Sequence, residues 1–193
     1  GASFAVSANA GGATPMLFGF AGDLQAFSSQ RLFATVGSRT IDIHFFVPGT
    51  TTPATTSAFG AVFVDTERDG EEGDFTNMEF FDASDVLLFS RHVTPAGNQG
   101  LSFLGGVATA GEKIARVRIT TPDNFLRSNG VRANEAHDFV VMDDFLYATP
   151  TAVPEPAAWV LAGLGLAGVG LKFRQRGRNP VRQLTSKSKC RVL

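Results

Sequence analysis

The chain is short of the residue types that most directly announce chemistry. Its single cysteine, Cys190, rules out a disulfide framework or an all-cysteine zinc site within one chain. Its three histidines, His44, His92 and His137, are scattered without metal-ligand spacing. The single Trp is Trp159 and the single Tyr is Tyr147, so any aromatic platform for a sugar would have to use Phe or Tyr147. There is no G-x-S-x-G motif, and no segment before Ala157 carries a convincing helical stripe. No acidic residue follows Glu155. No catalytic residues are assigned, and the chain is read as a non-enzyme.

What is present is phenylalanine, 18 residues of it, in short alternating runs. From Thr40 to Val47, Ile41, Ile43, Phe45 and Val47 share one face, Asp42 and His44 the other, and Phe46 interrupts the polar side. From Ala115 to Ile119, Arg116 and Arg118 point out while Val117 and Ile119 point in. Period two with one wet face predicts half-buried antiparallel strands. Residues 59–65, 76–82, 86–93, 101–104 and 138–148 are further strand candidates, separated by turn-rich stretches such as 48–53, 95–100 and 123–130. Short strands at this spacing predict an all-β domain over residues 16–148, a jelly-roll-like antiparallel β-sandwich. Its core is expected to hold Phe45, Phe63, Phe80, Val117, Ile119, Phe139 and Val141. Residues 1–15 form a separate N-terminal segment in which Ala8-Asn9-Ala10 has the small-x-small form of a signal-peptide cleavage site, so a signal remnant is expected there.

Charge is divided along the chain. Residues 1–171 hold 9 basic and 18 acidic groups, and the tail from Lys172 holds the other 8 of the 17 Lys and Arg. Such a split places a basic tail at an anionic surface. Residues 149–156 contain three prolines and read as an extended linker. Residues 157–173 are apolar and predict a transmembrane helix of roughly 25 Å, enough to span a bilayer core with local thinning or snorkelling of Lys172 and Arg174. Residues 174–193 then form a basic cytoplasmic tail.

Three motifs resolve against that organisation. Gly163-Leu164-Gly165-Leu166-Ala167-Gly168 spells a dinucleotide fingerprint, but no strand–helix–strand unit and no following acid can complete it. It reads as small residues in a membrane helix. Cys190-Arg191-Val192-Leu193 has the outline of a prenylation box, but Arg191 stands where an aliphatic residue belongs. Asp65, Glu67 and Asp69, followed by Gly70, offer oxygen donors at alternate positions, as a structural Ca²⁺ site in a β loop would require. Asp143 and Asp144 are adjacent in a strand and so face opposite sides unless a bulge intervenes, one of them able to accept backbone hydrogen bonds in the core.

Val153-Pro154-Glu155-Pro156, the apolar run after it and the cluster Lys172, Arg174, Arg176 and Arg178 together resemble the PEP-CTERM sorting segment of bacterial surface proteins. Ser57–Phe63, Glu79–Asp82, Leu101–Gly105 and Val140–Phe145 also look like a β domain that recurs before this anchor. One departure is that the chain runs on from Arg178 to Leu193, where family members usually stop. The resemblance implies export, transient retention in the inner membrane by the helix, and processing by an exosortase near Pro154-Glu155-Pro156. It also implies residence at the cell surface or in a biofilm matrix, with exopolysaccharide as a partner; no nucleic-acid partner is expected. Two competing readings are a secreted carbohydrate-active enzyme on a β-sandwich scaffold and a permanently membrane-anchored surface protein.

Overall fold

The computed structural model describes residues 2–8, 14–29, 31–67, 75–134 and 138–153. Among the described residues the chain is all-β. Its strands are β1 (Ser3–Ser7), β2 (Leu32–Val36), β3 (Thr40–Phe46), β4 (Pro53–Thr55), β5 (Ala58–Val64), β6 (Asn77–Phe81), β7 (Leu87–His92), β8 (Leu101–Val107), β9 (Arg116–Thr120), β10 (Val141–Tyr147) and β11 (Thr151–Ala152). They form two antiparallel sheets. One runs β1-β2-β10-β5-β8 and the other β11-β4-β3-β9-β6-β7. The chain crosses between sheets from β2 to β3, from β4 to β5, from β5 to β6 and at each step from β7 to β11.

The seven strand candidates, two of them marked by alternation, appear as β3 and β5 through β10. Ile41 and Phe45 turn into the core from β3 while Asp42 and His44 stay exposed. β1, β2, β4 and β11 were not expected. β2 is apolar on both faces and so carries no alternation: Leu32 and Ala34 are buried on one side, and Phe33 packs on the other. β1 falls within residues 1–15, set apart by sequence, yet pairs with β2 over five registers from Ser3↔Val36 to Ser7↔Leu32. Its Phe4 and Ala5 pack against opposite faces of the sheet, which explains why this segment belongs to the fold. β11 likewise falls within the stretch read as linker. Its two residues pair with β4, so the sheet extends to Ala152.

The main core lies between the sheets. Phe45, Met78, Phe80, Val117 and Ile119 enter it from one sheet, and Phe59, Ala61, Phe63 and Met142 from the other. A second core lies on the opposite face of the five-stranded sheet. There Leu32, Ala34, Val64 and Val141 are covered by Phe18, Leu24, Leu126 and Phe139. Phe139 meets Phe18 and Phe20 edge-on, with centroids 6.1 and 5.5 Å away. All seven residues expected in the core are buried, five in the first cluster and Phe139 and Val141 in the second.

Among the described residues no helix is long and apolar enough to cross a membrane. The helix expected over residues 157–173 and the tail over 174–193 lie outside them.

Candidate functional site

Two places bear on function: the end of the sheet, where the sorting segment begins, and an acidic cluster at the end of β5. At the first, Thr151 pairs with Thr55 and Ala152 with Ala54, and the Val153 amide donates to the Pro53 carbonyl at 3.2 Å. Val153 is therefore tied to the sheet, and the next residue is Pro154. Proline has no amide N–H to donate, so Pro154 cannot repeat the bond that Val153 makes. Pro154, Glu155, Pro156, Lys172, Arg174, Arg176 and Arg178 lie outside the described residues.

At the second place, the carboxylates of Asp65, Glu67 and Asp138 converge, with one oxygen from each within 4.8 Å of the others. Asp65 and Glu67 are two of the three residues marked from sequence, and Asp69 lies outside the described residues. Asp138 was missed because it joins from a distant part of the chain, just before β10, and no local spacing reveals it. Its Oδ2 accepts the Glu67 amide at 2.8 Å, which docks the two segments together. Asp65 is buried and holds a left-handed backbone with φ 67°, a conformation that Asp tolerates better than most residues. Its Oδ1 accepts the Gln99 amide at 3.0 Å. Burial pushes the Asp65 carboxyl up to about 7. The Gln99 hydrogen bond opposes that shift, while the charges of Asp138, Glu67 and Asp23 add to it. Like charges gathered at a buried carboxylate are what a hard cation would relieve.

Asp143 and Asp144 sit where the β10–β5 register shifts between Met142 and Phe145. This bulge leaves Asp144 exposed and Asp143 fully buried. The Asp143 carboxylate accepts from the amides of Phe27 (2.7 Å), Ser28 (3.0 Å) and Asp144 (2.8 Å) and from the Ser28 hydroxyl (2.9 Å). It acts as an anchor for the 27–28 segment, and its hydrogen bonds account for its burial.

His44 lines an aromatic cleft of about 350 Å³ with Phe4, Phe45, Phe46, Phe59 and Tyr147. Tyr147 is 59% exposed there and Phe46 49%. His92 stacks near Phe75, with centroids 4.8 Å apart. His137 lies outside the described residues.

Residues 152–176 match the family model of the PEP-CTERM protein-sorting motif. No curated protein and no solved structure matches the chain. The chain thus carries a PEP-CTERM sorting signal, the mark of an exported protein addressed to the cell envelope or surface, and the signal implies an exosortase as partner.

Proposed function

We propose that this chain is a non-catalytic surface or matrix protein whose β domain is delivered and then released by its C-terminal segment. Residues 157–173 halt export as a membrane helix, because some fifteen apolar residues partition into the bilayer, at about the lower limit of a spanning length. Lys172, Arg174, Arg176 and Arg178 hold the tail on the cytoplasmic side, since basic residues resist translocation. Exosortase then processes the chain near Pro154-Glu155-Pro156. The observation that carries this reading is the sorting-motif match at residues 152–176, which begins at the last paired residue of the sheet. The strand orders β2-β10-β5-β8 and β3-β9-β6-β7, with a crossover at most steps, support a jelly-roll-like sandwich as the cargo. Replacing Pro154, Glu155 and Pro156 by Ala should leave protein inserted but unprocessed, read by mass and fractionation in hosts with and without exosortase. Identical full-length protein in the inner membrane of both hosts would leave only the permanently anchored reading.

Once at the surface, the domain binds exopolysaccharide weakly through the cleft around Tyr147 and Phe46, whose exposed rings suit stacking on sugar. Tyr147→Ala should abolish retention on the host's own polysaccharide. Shortened glycan products in the flow-through would instead favour the carbohydrate-active enzyme. Support for a non-catalytic role comes from the convergent carboxylates. They gather around one point, as ligands to a cation do, rather than facing each other across a cleft, and Asp65 is buried.

The acidic cluster favours a structural Ca²⁺ held by Asp65, Glu67 and Asp138. Millimolar Ca²⁺ at neutral pH should raise the melting temperature of the wild type by several degrees, and Asp138→Asn should remove the response. An equal response in the variant, or none in the wild type, would refute the site.

A further inference from the structure

The five-stranded sheet ends in β8, Leu101-Ser102-Phe103-Leu104-Gly105-Gly106-Val107, and among the described residues this edge has none of the shortness, bulge, charge or proline that normally keeps an edge strand solitary. Exposed edges are usually short, bulged, charged or broken by proline. β8 has seven residues and pairs with β5 in an unbroken register from Ala58↔Val107 to Val64↔Leu101. It contains no charge and no proline. The other edges are managed. β11 has two residues. β7 carries Arg91 and His92 and a register shift against β6. β1 ends in a buried Ser7 whose hydroxyl donates to the Pro15 carbonyl and accepts the Phe18 amide.

The outer face beside this edge is also apolar. Phe103 and Val107 are 61% and 69% exposed, and Leu146, opposite Gly60 on β10, is exposed as well. The Phe103 ring lies flat across Gly60 and Gly105. A Cβ would come within 2.7 Å of the ring at Gly60 and within 3.0 Å at Gly105, so both glycines are needed for the ring to lie there. The result is a smooth strip running to the open edge.

We infer that β8 pairs antiparallel with β8 of a second copy about a two-fold axis at Leu104, joining the two five-stranded sheets into one. The sequence of β8 is self-complementary in that register. Phe103 meets Gly105, Ser102 meets Gly106, and Leu101 meets Val107, so each bulky or polar side chain faces a small or apolar one and none faces a charge. Charge also selects a second copy as the occupant. Residues 1–171 carry twice as many acidic as basic groups, and an uncharged strip is where two such copies approach with least repulsion. An acidic or basic partner would find no counter-charge on β8 itself.

The test uses the full chain in mild detergent. At roughly 100 μM it should have twice the monomer's protein mass by sedimentation or light scattering, corrected for detergent, and should dissociate on dilution. Phe103→Lys with Val107→Lys, both at exposed positions, should weaken the dimer at least tenfold while leaving the melting temperature unchanged at dilutions where the wild type is monomeric. Phe46→Lys, on the other sheet, should leave it dimeric. Register is checked in a Cys190→Ser background. Leu101→Cys with Val107→Cys should form an intermolecular disulfide on mild oxidation, whereas Leu101→Cys alone should not, because the two copies of residue 101 would be about 20 Å apart. A wild type that stays monomeric would overturn the inference. So would a dimer that the lysine pair does not affect, or a Leu101→Cys chain that cross-links as readily as the double variant.

Discussion

The two sheets turn opposite characters outward. The outer face of the six-stranded sheet is polar and satisfied within itself. Arg116 bonds Asp42 at 3.0 Å and Asp85 at 2.5 Å, and its guanidinium lies 3.8 Å over the Phe81 ring. Arg118 bonds the same Asp42 through both carboxylate oxygens, at 2.8 and 2.9 Å. The five-stranded sheet is largely apolar on both faces, with Asp143 a buried, fully bonded exception. One half of its outer face is roofed by Phe18, Leu24, Leu126 and Phe139, and the other half, around Phe103, is exposed among the described residues. A sheet with one wet face can end at solvent. A sheet with two dry faces needs cover, either from its own chain or from another.

The sharpest way to break this comparison is to remove the roof. Phe139→Ala should destabilise the domain by about 3–5 kcal/mol, as much as Phe63→Ala in the main core. Both rings are fully buried, so the two cavities should cost alike if the roof is a true core. Urea denaturation of the two variants measures this. A cost for Phe139→Ala below about 1 kcal/mol would mean that the roof packs loosely and that the sheet is in effect open on that side.

The next effect in size concerns how the roof is fastened. Asp143 takes four hydrogen bonds, three of them from the 27–28 segment that follows Leu24. Asp143→Ala would leave buried amides without an acceptor and should cost about 2–4 kcal/mol. Hydrogen exchange should show faster loss of protection at Phe27 and Ser28 than in the six-stranded sheet. Uniform change across both sheets would argue against a local fastening.

This contrast also explains which parts of the fold the sequence revealed. The six-stranded sheet was legible at β3 and β9 because Asp42, His44, Arg116 and Arg118 alternate with Ile41, Ile43, Val117 and Ile119. β2 and β1 were not legible, because residues dry on both faces have no period to read. β4 and β11 were too short for any pattern: three residues and two. The sorting motif was fully legible, since its parts are contiguous. The acidic cluster was legible only in its contiguous half. Asp65 and Glu67 sit on one loop, but Asp138 arrives by way of the fold. The sequence did mark Arg116 as outward-pointing. It could not show that Asp42, Asp85 and Phe81 would then enclose that side chain almost completely.

The smallest expected effect tests the polar face through pH. The hydrogen bond from Arg118 holds the Asp42 carboxyl below its ordinary value of 3.8. Desolvation opposes that shift, and the hydrogen bond and charge of Arg116 add to it. A carboxyl whose folded pKa is depressed contributes stability above its unfolded pKa and loses it as pH falls through the folded value. The contribution of Asp42 is therefore complete at neutral pH and disappears only below about pH 4. Asp42 is partly exposed, and solvent screening limits the effect to about 1 kcal/mol. Asp65 works in the opposite direction. Its raised carboxyl makes the fold lose stability as pH rises from about 4 towards 7, so its slope must be removed first. In an Asp65→Asn background, melting temperature followed from pH 7 down to pH 2 should fall at the acid end. Adding Asp42→Asn should lower the neutral plateau slightly and flatten that fall. Salt should shrink the difference between the two chains, because the pair lies at the surface. An acid limb unchanged by Asp42→Asn would mean that Arg116 is held by Asp85 and Phe81 alone. The polar face would then owe its order to the ring beneath it rather than to its charges.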